Sequence, residues 1–418
     1  MGYNRWCNYA VTLDCADENI VLGDGVVLRW NVTARNNDDH IVTQNRNYKK
    51  DVFAMKKILV LVQNYPNNDG GIALMYVHVR NKYYIQHNID VTVLNFSSQD
   101  DYIIDNIKVI TEETYKKENK KYDVVVSHAA NIKNHYRFLK KYDNRFEHMI
   151  FFFHGHEVVM INEVYPKPYD YMKKSSWIRI QTQNCYDQFK LSLWHRYYKK
   201  MAYKSEFIFV SHWLHNEFQK YVKLSDDDLR GHVHIINNSV GKAFEDNSYR
   251  YEGDKNYDFI TIRSYMDDSK YCIDLVDELA IKYPEYKFLI IGRGKYYRVH
   301  KIPPNVVWID KFLNHDDIMK YINQSRCGLL LTREDTQGVM TCELAEYGIP
   351  VITSDIEVCR EICGDLYNVN RIKNEMEEVD LKSVYTTLIK NVPYKKQGKF
   401  SYHNTVKLEE EIIEGQNI

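Results

Sequence analysis

The stretch REDTQGVMTCELAEYGIPVITSD, residues 333–355, decides how the rest of the chain is read. It continues the apolar run GLLLT (328–332) and predicts a buried strand, a polar turn containing Gly338, a helix, and a stop at Gly348 and Pro350 before the next strand. The turn aims the free amides of Gly338, Val339 and Met340 at the strand ends, a ready place for a phosphate. Asp335 stands in the turn and Glu343 inside the helix. Both carboxylates can therefore face one crevice while touching different parts of a ligand.

The same alternation extends outward in both directions. DFITI (258–262), KFLII (287–291), VVWI (306–309) and PVITS (350–354) are short aliphatic runs separated by helical stretches such as 272–283 and 315–325. Before them, the polar segment KAFEDNSYRYEGDKNYD (242–258) marks a boundary. Upstream of it lies a second series. It opens with a strand at 58–62 and a loop ending in Gly70 and Gly71, followed by a helix with Ile72, Met75, Tyr76, Val79 and Tyr83 on one face. VVVS (124–127), MIFFF (149–153), FIFV (207–210) and VHII (233–236) complete it. The reading is α/β, with two doubly wound domains at 55–245 and 246–400 whose facing strand ends form a crevice, and a terminal helix within 401–418. Residues 1–54 differ. Ile20, Val26 and Val32, and likewise Leu22, Leu28 and Ala34, repeat every six residues, the period of a left-handed β-helix. They read as a short β-rich appendage of about one coil, too little to bury its own aliphatic stack. His40 within it reads as a solvated side chain beside two Asp.

Composition excludes several classes. With 418 residues, 44% hydrophobic and 27% charged, the chain is globular rather than disordered or fibrous. Lys+Arg number 56 against 57 Asp+Glu, so no global basic field holds nucleic acid. The eight cysteines lack paired metal-site spacing, no metal cluster is visible, and no apolar run reaches membrane-span length. A cytoplasmic location is expected.

The segment 333–355 resembles the acidic-pair signature of retaining glycosyltransferases of family 4, also called group 1, with Asp335 in the first acidic place and Glu343 in the second. FHGHE (153–157), INNSV (236–240), IRSYMDDSK (262–270) and IIGRG (290–294) follow the order of that family, and the likeness covers residue 55 to the end. It is close to capsule and lipopolysaccharide assembly members. The short amino-terminal repeat resembles a fragment of a hexapeptide-repeat acyltransferase. The family resemblance implies a GT-B fold, two Rossmann-like domains facing a central crevice. It implies a nucleotide-sugar donor and a polysaccharide or lipid-linked saccharide acceptor, without a metal or other cofactor.

Carried onto this sequence, the resemblance implies that Arg263 and Lys270 neutralise the donor diphosphate, while Gly70, Gly71 and the amides of Gly338, Val339 and Met340 approach phosphate or sugar. Glu343 would hold the ribose hydroxyls and Asp335 the sugar hydroxyls, with a reach one methylene shorter than Glu. His154, at the carboxyl end of a strand, would face the reacting centre. Glu334 is available beside Asp335, and Glu346 reads as a surface or cap residue. WHRYYKKMAYKS (194–205) fits two readings equally: an amphipathic helix packed on its own domain, or a peripheral contact with anionic lipid at the inner face of the membrane. A GT-B sugar-nucleotide epimerase is the alternative enzyme and a non-catalytic GT-B binding module the alternative outside enzymes.

Overall fold

In the computed structural model, residues 55–71, 73–172 and 176–415 are described, together with the strands Thr33–Arg35 and Ile41–Thr43. Those two strands pair antiparallel, whereas the coils of a β-helix stack in parallel. The rest of the six-residue repeat and His40 lie outside the described residues. The chain divides into two compact units, 1–54 and 55–418.

Unit 55–418 contains two sheets. The first has eight strands in the order Val233–Ile235, Ser205–Phe209, His148–Phe153, Val124–His128, Lys57–Val62, Asp90–Asn95, Ile107–Ile110, Tyr102–Ile104. All pair in parallel except the last, which closes an edge hairpin. The second has six parallel strands in the order Val306–Ile309, Phe288–Arg293, Tyr257–Tyr265, Ser325–Leu330, Val351–Ser354, Val369–Ile372. Strands such as Ile58–Val62 and Met149–Phe153 are buried along their length. That is why they read as continuous apolar runs instead of alternating ones, since helices cover both faces of a parallel sheet.

The order in which successive strands are added reverses in each sheet next to its first strand. In the first lobe the switch lies between Lys57–Val62 and Val124–His128, and in the second between Tyr257–Tyr265 and Ser325–Leu330. Loops leaving the carboxyl ends diverge there and leave a crevice. Val240 and Phe244 already pack in the core of the second lobe, so the chain changes lobe a few residues before the polar segment 242–258. The carboxyl-terminal helix Val406–Glu414 returns to the first lobe, where Val406, Ile412 and Ile413 pack with Val60 and Val77.

The sequence 194–205 belongs to the long helix Trp177–Met201, started by the Ser176 hydroxyl, which accepts from the Arg179 amide. Trp194, Tyr197, Tyr198 and Met201 are buried in the first-lobe core, and only the intervening cations and Tyr203 face outward. Trp194, Tyr197 and Tyr198 are thus core residues and not a lipid-facing stripe. Glu346 is likewise buried, and its carboxylate accepts from the Gly398 amide at 3.0 Å. It fastens the carboxyl-terminal segment and does not lie on the surface.

Candidate active site

The second lobe presents a dense polar cluster at its switch point. Arg263 leaves strand Tyr257–Tyr265 almost fully buried, donates from Nη2 to the Leu331 carbonyl at 2.6 Å, and keeps a buried Nε with no partner. Lys270 lies in the short turn Ser269–Tyr271. The ring of Tyr271 meets both cations: the Arg263 Cζ and the Lys270 Nζ are each 4.9 Å from its centroid. Burial opposes the Lys270 charge most, but Tyr271, Asp335 and Asp268 outweigh it and hold its pKa above the usual value. The ammonium is therefore charged at neutral pH and lies in the field of Asp335.

The strand-to-helix turn is bound directly to that cation loop. Arg333 N and Thr332 Oγ1 both donate to the Lys270 carbonyl, at 2.8 and 3.1 Å, and the Arg333 guanidinium forks onto Asp274 at 2.6 and 3.0 Å. Asp335 caps its own turn: Oδ1 accepts from the amides of Thr336 at 2.8 Å and Gln337 at 3.4 Å. Gly338 follows at φ +73°, a left-handed conformation suited to glycine, and helix Val339–Tyr347 begins with no side chain capping it. Its first-turn amides remain available to an anion, with the helix dipole in support. Glu343, on the buried face of the helix, has its carboxyl pushed up to about 8 by burial, and Glu334 is raised to about 7 by burial, with the Asp335 charge adding to it.

From the first lobe, His154 follows strand His148–Phe153 and meets this turn directly. Thr336 Oγ1 donates to the His154 carbonyl at 2.9 Å, and the buried Glu157 carboxylate accepts from the His154 amide. The His154 imidazole lies tilted against the Tyr76 ring, with centroids 4.5 Å apart, and is 3.0 Å, Nε2 to Nδ1, from His128. Burial first, then the Arg80 charge, lowers both imidazole pKa values well below the ordinary one, so both are neutral at pH 7. One ring N–H must then donate to the other. Gly70 and Gly71 are exposed, and their amides are taken by Asn67, at its carbonyl (3.3 Å) and its Oδ1 (2.9 Å). The pair makes a capped turn, and its amides are not free for phosphate.

Several contributors carry no legible sequence signal. Gln337 pairs its side-chain amide with Asn238, 99 residues away, and Tyr169 and Tyr171 cross from the first lobe to donate to Asp274 and Asp267 of the second. Glu361 of the second lobe accepts from the amides of His212 and Trp213, which start helix His212–Val222 in the first. Asn238 and Gln337 are exceptions in part, since they stand in the quoted INNSV and 333–355 segments, though without an assigned role. Among the described residues no group of three His, Cys, Asp or Glu is placed to hold a metal ion.

Residues 261–379 match the family model described as Glycosyl transferases group 1. No curated protein matches the sequence. Solved structures with the same fold include sucrose-phosphate synthase from Thermosynechococcus elongatus, at TM-score 0.61 and 10% identity over 86% of this chain and 98% of that one. WaaG, a glycosyltransferase involved in lipopolysaccharide biosynthesis, gives 0.57 and 11% over 86% and 100%. An α,α-trehalose-phosphate synthase (UDP-forming) from Burkholderia vietnamiensis gives 0.53 and 10% over 86% and 95%. The fold is GT-B, and the second lobe carries the group 1 glycosyl transferase pattern.

Proposed function

We propose that this chain, whose second lobe carries the group 1 glycosyl transferase pattern, is a retaining glycosyltransferase. It moves a hexose-type sugar from a nucleotide-sugar to a polysaccharide or lipid-linked saccharide acceptor in bacterial surface-glycan synthesis. The observation that carries the reading is the joining of two cations to the segment that runs into the uncapped helix Val339–Tyr347: Thr332 and Arg333 donate to the Lys270 carbonyl, and Arg263 donates to the Leu331 carbonyl. When the glycosidic bond to a nucleoside diphosphate breaks, negative charge grows on the leaving phosphate. Two fixed cations and helix-end amides in a crevice stabilise that charge more in the transition state than in the ground state. Arg263 supplies a planar fork and Lys270 a point charge.

The remaining residues divide the ligand between them. Glu343, neutral below about pH 8, both donates to and accepts from ribose hydroxyls. His154, neutral and next to the turn, contacts the transferred sugar from the first lobe. Asp335 spends one oxygen on its own turn, leaving the other for a sugar hydroxyl. The cations take the place of a metal, so transfer should persist with excess chelator. A screen of nucleotide-sugars for diphosphonucleoside release, with and without saccharide acceptors and with EDTA present, tests this. Sugar conversion with no acceptor and no release would indicate an epimerase, binding without turnover a non-catalytic module, and activity restored only by Mg²⁺ or Mn²⁺ would remove the metal-independent reading.

A cytoplasmic enzyme with a lipid-linked acceptor would touch the inner face of the membrane peripherally. Among the described residues no helix is long and apolar enough to cross one. The exposed Trp177, Ile178 and Phe189 at the amino-terminal half of the long helix, with Arg179 among them, support such a contact. Sedimentation with phosphatidylglycerol vesicles should carry the protein down, and a supernatant that keeps all of it would remove the contact.

A further inference from the structure

Arg80 is 1% exposed in helix Met75–Gln86, and Glu409, its partner from the carboxyl-terminal helix, is 0% exposed. Nε donates to both Glu409 oxygens at 3.3 and 3.1 Å, Nη1 to the Tyr76 carbonyl at 3.1 Å, and Nη2 to Glu409 at 3.1 Å and to Asn238 Oδ1 at 3.0 Å. The Tyr84 hydroxyl donates to the same carboxylate. A buried ion pair is often no more stabilising than an apolar pair of equal volume, so stability alone does not account for this one. Its geometry offers another account.

The Arg80 guanidinium lies 4.8 Å from the ring centroid of Phe152, in the strand His148–Phe153 that His154 directly follows. On its other side, Asn238 donates from N and Nδ2 to Gln337 Oε1 at 2.6 and 2.7 Å, and Gln337 Nε2 donates back to the Asn238 carbonyl at 3.0 Å. Both amide side chains are buried. Gln337 is the residue immediately before Gly338, Val339 and Met340. Four segments far apart in sequence are thus linked as Glu409, Arg80, Asn238 and Gln337, between the strand end bearing His154 and the turn that opens the second-lobe helix.

We propose that Arg80 is a positioning residue: with Glu409 and Asn238 it fixes the turn at Gly338–Met340 against the strand end that carries His154, so the carboxyl-terminal helix sets the geometry of the donor site. Only an arginine fork reaches Glu409, Tyr76 and Asn238 together, because a lysine offers one nitrogen. The part of the proposal that concerns ligand rests on the glycosyltransferase reading, while the part that concerns the turn does not.

The test uses the full chain and two variants, N238A and the paired R80M/E409M. N238A leaves the ion pair intact, and the paired change removes both charges and so leaves none buried alone. Amide hydrogen exchange is followed at 337–341 without ligand, with strand Phe288–Arg293 as the internal reference, and UDP, GDP and ADP binding is measured by calorimetry. Exchange at 337–341 should quicken by about tenfold in both variants while the reference strand is unchanged. Affinity for whichever diphosphate binds should fall by about tenfold. Wild-type exchange at the turn in either variant, or equal quickening in the reference strand, would overturn the proposal. If the wild-type protein binds none of the three diphosphates while the exchange result holds, the positioning role stands and the nucleotide-sugar reading falls.

Discussion

Glu343 ties one side chain to both stability and function. Burial pushes its carboxyl up to about 8 from 4.5, and the nearby His315 Nε2, at 3.9 Å, is too distant for a hydrogen bond that would reverse this. Between those two values the folded chain keeps a proton that the unfolded chain releases, so this group makes stability fall as pH rises through the window. Glu343→Gln should therefore gain on wild type between pH 5 and pH 7.5, by about 2–3 kcal/mol in denaturant unfolding. An equal difference at both pH values would show that the carboxyl is not held neutral. In turnover the expectation is opposite. Glu343→Ala and Lys270→Ala should each slow donor consumption at least about tenfold, ~1.4 kcal/mol of transition-state stabilisation, without unfolding the protein. Near-normal turnover in both would remove them from the site. Asp335 shows what the sequence leaves open, since its spacing from Glu343 is legible while its capping of the Thr336 and Gln337 amides is not.

At the scale of elements, helix Val406–Glu414 covers the first lobe with an apolar face and inserts Glu409 against Arg80. Ending the chain after residue 400 would expose that face and leave Arg80 buried without its carboxylate. Loss of one partner of a buried pair costs about 3–5 kcal/mol, in addition to the lost apolar burial. Such a chain should be insoluble or melt far below the intact protein, and an unchanged melting temperature would show that the helix is dispensable. The helix itself is visible in SYHNTVKLEEEII, but only the tertiary structure shows that Glu409 and Glu410 within it are buried. A similar limit applies to 194–205. Its mixture of aromatic and basic residues fits a lipid surface and a packed helix equally, and the choice between them depends on which side faces the Phe151 and Phe207 strands.

For the whole molecule, both sheets, their switch points and every candidate site residue lie within the unit 55–418. A chain beginning at Met55 should keep the melting temperature and the nucleoside diphosphate affinity of the full chain. Aggregation of the shortened chain, or loss of binding with the fold retained, would make residues 1–54 integral to the enzyme. Within 55–418 the lobes are joined by polar contacts: Thr336 to His154, Gln337 to Asn238, Tyr169 and Tyr171 to Asp274 and Asp267, and Glu361 to the start of helix His212–Val222. Directional bonds of this kind fix the two halves of the crevice in register, and Trp213, Tyr169 and Tyr171 of the first lobe add apolar contact with the second-lobe core.

The sequence alone determined the two α/β repeats, because strands buried on both faces must be apolar throughout and helices must punctuate them with caps and stops. It also determined the acidic pair and the glycine turn at 333–343, since local spacing places them on one strand-turn-helix unit. What only the tertiary structure decided is which distant groups meet. Gly70 and Gly71 have their amides taken by Asn67, and Lys270 receives its anchor from Thr332 and Arg333. Arg80 joins Glu409 across 329 residues. Spacing along the chain carries the information for a helix or a strand, which closes its bonds within a few residues. It carries none for a buried pair, whose partners are chosen by how two folded lobes and a returning helix come to rest against one another.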